Sequence, residues 1–245
     1  MQDFVKFILQ YFKDHPTHVW QDFYDAYLAT PCEELKNLYK PAKANIKPSI
    51  TTLQGKLSEP NENGKNLVKD QNGVYSSPDL PVGTDLQITI KVGNEYYGSI
   101  HTHPYPGAVP MFSWTDVFTL QRFYQDTYNT NLKDVVIILV CKDDNGVKQT
   151  YALKIDNPNM LYDAIVHDST NNVPNLNNDT TIEEITSKMD EKLTLLYYQK
   201  KPNREGTFLE RFANFGISLY KADEDLTTWN KLILENGIVK PIPCN

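Results

Sequence analysis

The chain divides by the period of its apolar residues. Phe4, Ile8, Tyr11 and Phe12 recur at helical spacing, and after a break at His15-Pro16 so do Trp20, Phe23, Tyr24 and Tyr27. Residues 1–45 therefore read as a helical N-terminal segment. The stretch YKPAKANIKPS at 39–49 is basic and interrupted by Pro41 and Pro48, which suits a connector. A further helix is expected from about Ser49, burying Ile50, Leu53 and Leu57.

From about 62 to 103 the period shortens to that of strands. Turn signals stand at Asn63-Gly64 and Asn72-Gly73, and LQITIKV at 86–92 has the β-branched enrichment of a strand. Helical spacing returns with Trp114, Val117, Phe118, Leu120 and Phe123, so Ser113 falls where a helix begins and Asp116 in its first turn. DVVIILVC at 134–141, the turn DDNG and then QTYALKI predict a β-hairpin whose first strand is apolar enough to lie inside a sheet. Helices are expected over about 158–167 and 180–200, the second with Ile182, Ile185, Met189, Leu193 and Leu196 as its buried stripe, and a polar loop STNNVPNLNNDT between them. The tail predicts a short helix near 207–214, a strand at GISLY and a helix around Trp229 and Leu232, giving a mainly helical extension over 161–245. The fold class is α/β (α+β): a mixed sheet in a core at 46–160 with helical additions at both ends.

Composition narrows the chemistry. In 245 residues, 31 Asp and Glu outnumber 24 Lys and Arg, which argues against a broad phosphate-binding surface and hence against nucleic acid. No stretch reaches the length of a membrane span, and Asp3 and Lys6 interrupt the opening where a signal peptide needs an apolar run. The cytoplasm is favoured on this ground, with export left open should a leader precede Met1. Cys32, Cys141 and Cys244 are odd in number and show no Cys-x-x-Cys spacing, so neither a disulfide framework nor a cysteine metal site is expected, and Cys141 reads as a buried strand residue.

The chemical signal is GSIHTHPYPGAVPMFSWTD at 98–116. Residues two apart on a strand share a face, so His101 and His103 form a two-ligand arm. Asp116, brought in by the helix that starts at Ser113, supplies a third ligand, and water completes a catalytic rather than a structural zinc site. Such a zinc acidifies its water and polarises a carbonyl, which makes hydrolysis the natural reaction class. Ser-x-x-Asp alone also describes a capping box with no chemistry.

These residues resemble the signature of the JAMM (MPN+) metalloproteases: an upstream Glu, then His-x-His followed by Pro, then Ser-x-x-Asp at the head of a helix. The resemblance covers roughly residues 45–160. It implies a JAMM/MPN-like (cytidine deaminase-like) mixed sheet flanked by helices, with His101, His103 and Asp116 holding one Zn2+ per chain and Ser113 stabilising the tetrahedral oxyanion. The upstream Glu falls between the helix near 49–58 and the strands, at Glu59 or Glu62. Glu62 is preferred because NENGKNLV sets it at a strand start, and Glu95, in a turn before the histidine strand, is the weaker choice. Glu62 would be the general base that later returns the proton to the leaving amine. Met111 and Trp114 flank the loop into the site, where exposed apolar groups would hold a substrate chain. By the same resemblance the substrate is a peptide, an isopeptide of a ubiquitin-like modifier or a smaller amide, a peptide being bound by strand addition.

His15, His18 and His167 read as surface or capping residues. Amidohydrolase barrels and metallo-β-lactamases need more histidines after the pair than the single His167. The rival from another class is a catalytically inert MPN-like protein-binding module.

Overall fold

The computed structural model describes residues 2–20, 23–24, 29–84, 87–174, 176–177 and 179–244. Eight strands make one mixed sheet in the order β2-β1-β3-β4-β5-β6-β7-β8. They are β1 (Gly64–Lys69), β2 (Tyr75–Ser76), β3 (Tyr96–Thr102), β4 (Val136–Lys142), β5 (Lys148–Ile155), β6 (Ile217–Ala222), β7 (Trp229–Glu235) and β8 (Ile238–Pro243). Seven α-helices are seen among the described residues: α1 (Gln2–Asp14), α2 (Pro31–Tyr39), α3 (Lys47–Gln54), α4 (Trp114–Asp126), α5 (Pro158–Asn172), α6 (Ile182–Gln199) and α7 (Arg204–Arg211).

All neighbours pair antiparallel except β3 and β4, which run parallel and are joined through α4. A parallel pair needs such a crossover, and it sets the end of β3 beside the start of α4. Gly98 permits the close pairing there, because a Cβ at this position would stand 2.1 Å from the Val136 carbonyl oxygen. β4 is buried on both faces, as its unbroken apolar run requires. Ile137, Leu139 and Cys141 join the core under α4–α7, while Val136, Ile138 and Val140 join the core under α2 and α3. Cys141 is a free, buried thiol.

Several expectations need correction. Asn63-Gly64 makes no turn; Gly64 opens β1, and Asn63 is tied to Thr102 on the neighbouring chain segment. In LQITIKV, Leu86 lies outside the described residues, as does Tyr27 of the N-terminal stripe. Residues 88–92 join no strand, because β1 already has β3 on one edge and β2 on the other. The segment around Trp229 and Leu232 is strand β7, not helix: Asn236 and Gly237 both have positive φ, which closes a tight hairpin to β8. With β6, β7 and β8 continuing the sheet, the C-terminal region supplies strands as well as helices, and β5 pairs with β6 across residue 160. The cysteine reading also fails. Cys32 and Cys244 form a disulfide across 212 residues, a pairing that residue counts cannot reveal because it depends on where the two chain ends meet. No described helix is long and apolar enough to cross a membrane.

Candidate metal centre

His101 lies on β3 and His103 just beyond it, where the His103 amide donates to the Val140 carbonyl at 3.0 Å. Both histidines are buried. Their rings stand 5.2 Å apart, as alternation along a strand demands. The His103 Nδ1 lies 2.6 Å from the Val109 carbonyl oxygen, an acceptor only, so Nδ1 carries the proton and Nε2 keeps its lone pair. Burial is the main cause that lowers the His103 pKa to about 4, with His101 adding to it, so the ring is neutral as a metal ligand must be.

Asp116 comes from the first turn of α4 and divides its oxygens between two tasks. Oδ2 accepts from the Ser113 amide and hydroxyl, each at 2.8 Å, while the Asp116 amide donates back to Ser113 Oγ at 3.0 Å. This is a complete capping box. Oδ1 faces the sheet, 3.3 Å from His101 Nε2. The capping and ligand readings of Ser-x-x-Asp are therefore compatible, because the cap fixes one oxygen and leaves the other to the site.

Glu62 sits two residues before β1, and Asn63 anchors it: the Asn63 amide donates to Thr102 Oγ1 at 2.9 Å and the Thr102 amide to the Asn63 carbonyl at 2.8 Å. Its Oε1 lies 3.8 Å from His103 Nε2. Burial, reinforced by the Asp116 carboxylate, pushes the Glu62 carboxyl up to about 9. The alternatives lie elsewhere. Glu59 is exposed and accepts from Asn63 Nδ2, and Glu95 is exposed in its turn.

Donor atoms of His101, His103 and Asp116 lie within 4.8 Å of one another, and all three residues are buried. Around a tetrahedral zinc with bonds of about 2.0–2.1 Å, neighbouring ligand atoms stand about 3.3–3.4 Å apart, close to the His101–Asp116 separation. Two imidazoles and a carboxylate suit a divalent ion of this kind.

These residues open on a cleft of about 910 Å³. One wall is the extended segment 87–92, with Ile88, Ile90 and Val92 half-buried and Thr89 and Lys91 exposed. The facing wall comes from α4 and α6. Met111 and Ser113 line the cleft. Met111 and Trp114 are not exposed as expected, at 1% each. Trp114 is a core residue, stacked on Phe118, with its indole N–H donating to Asp168 at 2.9 Å. Sequence reasoning missed Asp190 on α6. Its carboxylate accepts from the Thr115 amide at 3.0 Å and from the Thr115 hydroxyl, pinning the start of α4 across 75 residues of chain. No local signal announces such a partner.

Comparison of the chain with known family models, curated proteins and solved structures finds no match.

Proposed function

We propose that the protein is a zinc-dependent hydrolase of the JAMM metalloprotease type that cleaves a peptide or isopeptide bond. The observation that carries this reading is the buried convergence of His101, His103 and Asp116, with Glu62 beside His103, in the lining of one cleft. Zinc, when bound there, supplies a Lewis acid for the amide carbonyl and an acidified water.

The chain's own residues do the rest. Glu62 is the general base, and a cation close by offsets the burial that keeps its carboxyl protonated otherwise. Once ionised, Glu62 takes a proton from the attacking water and delivers it to the leaving amine. Ser113 orients Asp116, and its hydroxyl reaches an oxyanion only by turning away from Oδ2. The substrate is an extended polypeptide. Residues 88–92 form no backbone hydrogen bond among the described residues, yet their side chains alternate in burial as a strand's do. Their unpaired amides and carbonyls along the cleft suit pairing with a substrate strand.

The test is zinc content of untagged protein together with peptide hydrolysis by wild type and Glu62→Gln. Near one zinc per chain in both, with hydrolysis reduced 10²–10⁴-fold in the variant, is expected. Full activity in Glu62→Gln would remove the base assignment. A wild type that takes up no zinc would favour the inert binding module.

A further inference from the structure

The two histidines are supported differently. His103 Nδ1 has the Val109 carbonyl oxygen, but His101 Nδ1 is buried with no hydrogen-bond partner among the described residues. Ser99 Oγ and Asn66 Oδ1 are in the same condition. An unpartnered buried polar group costs about 1–3 kcal/mol, so three together call for an explanation.

The sheet register places them side by side. Ser99 is two residues before His101 on β3, hence on the same face, and Asn66 lies directly across from Ser99 on β1. Gly64, opposite His101, adds no side chain to the row. All three polar residues are at most 1% exposed. None of the three is bonded to another in the structure, and residues two apart on a strand stand about 6.6–6.8 Å apart along the chain, so a bridging water suits all three as a common partner. The donor count also closes. A ring that binds metal through Nε2 must carry its proton on Nδ1 and needs an acceptor there, Asn66 Oδ1 needs a donor, and the Ser99 hydroxyl can take either part. A water accepting one hydrogen bond and donating two satisfies all three groups, the usual coordination of a buried water.

We infer that Asn66, Ser99 and His101 enclose one ordered water, and that through it Ser99 and Asn66 hold His101 in the tautomer that presents Nε2 to the metal. They are positioning residues. The metal half of this statement rests on the proposed zinc site, whereas the water and the tautomer do not. Groups that orient a ligating histidine typically change metal affinity 10–100-fold when removed.

High-resolution diffraction, ring-nitrogen NMR of His101 and zinc competition with a chelator test it on wild type, Ser99→Ala and Ser99→Thr. A water within hydrogen-bond distance of all three groups is expected, with His101 protonated on Nδ1. Zinc affinity should fall 10–100-fold in Ser99→Ala and return in Ser99→Thr, which keeps the hydroxyl. An empty row in the density, a proton on Nε2 instead, or equal affinity in wild type and Ser99→Ala would overturn the inference. If wild type binds no zinc, the hydrolase reading fails. The water and the tautomer, both readable in metal-free protein, then decide this inference alone.

Discussion

Strand β4 sends Val136, Ile138 and Val140 to one face of the sheet and Ile137, Leu139 and Cys141 to the other, yet the two faces are finished differently. On the first, α2 and α3 cover the strands, and the Cys32–Cys244 bond ties the start of α2 to the end of β8. A buried charge there is matched: Lys154 Nζ lies 2.8 Å from Glu34 and donates to the Lys133 carbonyl at 2.6 Å. On the second face, helices pack on most of the sheet but leave a cleft over the end of β3. Glu62, His101, His103 and Asp116 converge there with no Lys or Arg among them. The contrast supports the proposal that a cation completes the second face. Acidic groups are expensive to bury without a partner, and the first face has a lysine in that role where the second has a preformed donor set.

The largest expected effect comes from breaking that donor set. Asp116→Ala removes a proposed ligand and half of a capping box, so zinc content should drop from about one per chain to near none and hydrolysis with it. The cap accounts for only about 1 kcal/mol of stability. Retention of stoichiometric zinc would show that the metal is held without Asp116.

Next in size is the disulfide, which tests the first face by itself. Closing a loop of 212 residues lowers the entropy of the unfolded chain by about 5 kcal/mol in the chain-entropy model, and measured losses run about 2–5 kcal/mol. Replacing both Cys32 and Cys244 by Ser should cost that much in denaturant unfolding while leaving zinc affinity unchanged. A parallel fall in affinity would mean that the two faces are not independent. Bonds of this kind persist in oxidising compartments, so the result also bears on the expectation of a cytoplasmic location.

The sequence carried the second face better than the first. His101, His103, Ser113 and Asp116 are legible because strand alternation and the capping spacing are local rules, and both fall within 16 residues of chain. Glu62 was reachable only by resemblance and order along the chain. Lys154 reads as one more polar residue in a strand until Glu34, 120 residues earlier, is brought against it. The disulfide, Asp190 and the Asn66–Ser99 pairing likewise depend on which distant segments meet. LQITIKV shows the opposite failure: its alternation is real, but a strand also needs an edge to join. Around Trp229 and Leu232 a helix is expected, while the Asn236-Gly237 hairpin signal, which decides the matter, stands a few residues on.

The smallest expected effect compares like with like, since each face has a helix with the same N-terminal device. Thr30 caps α2 with Glu33 in reply, and Ser113 caps α4 with Asp116 in reply. Removing the hydroxyl by Thr30→Ala or Ser113→Ala should cost about 1 kcal/mol of unfolding free energy in either case, because each leaves one amide of the first turn without its acceptor. The helices differ in what the replying carboxylate does next. Glu33 reaches Tyr24, an exchange confined to the N-terminal segment, whereas Asp116 turns its other oxygen to His101. Thr30→Ala should therefore leave zinc affinity where it was. Ser113→Ala should weaken it about 10–100-fold, as expected for a group that orients a ligand. Equal affinities in the two variants would mean that the cap at Ser113 only ends a helix, and that Asp116 needs no help to face the metal.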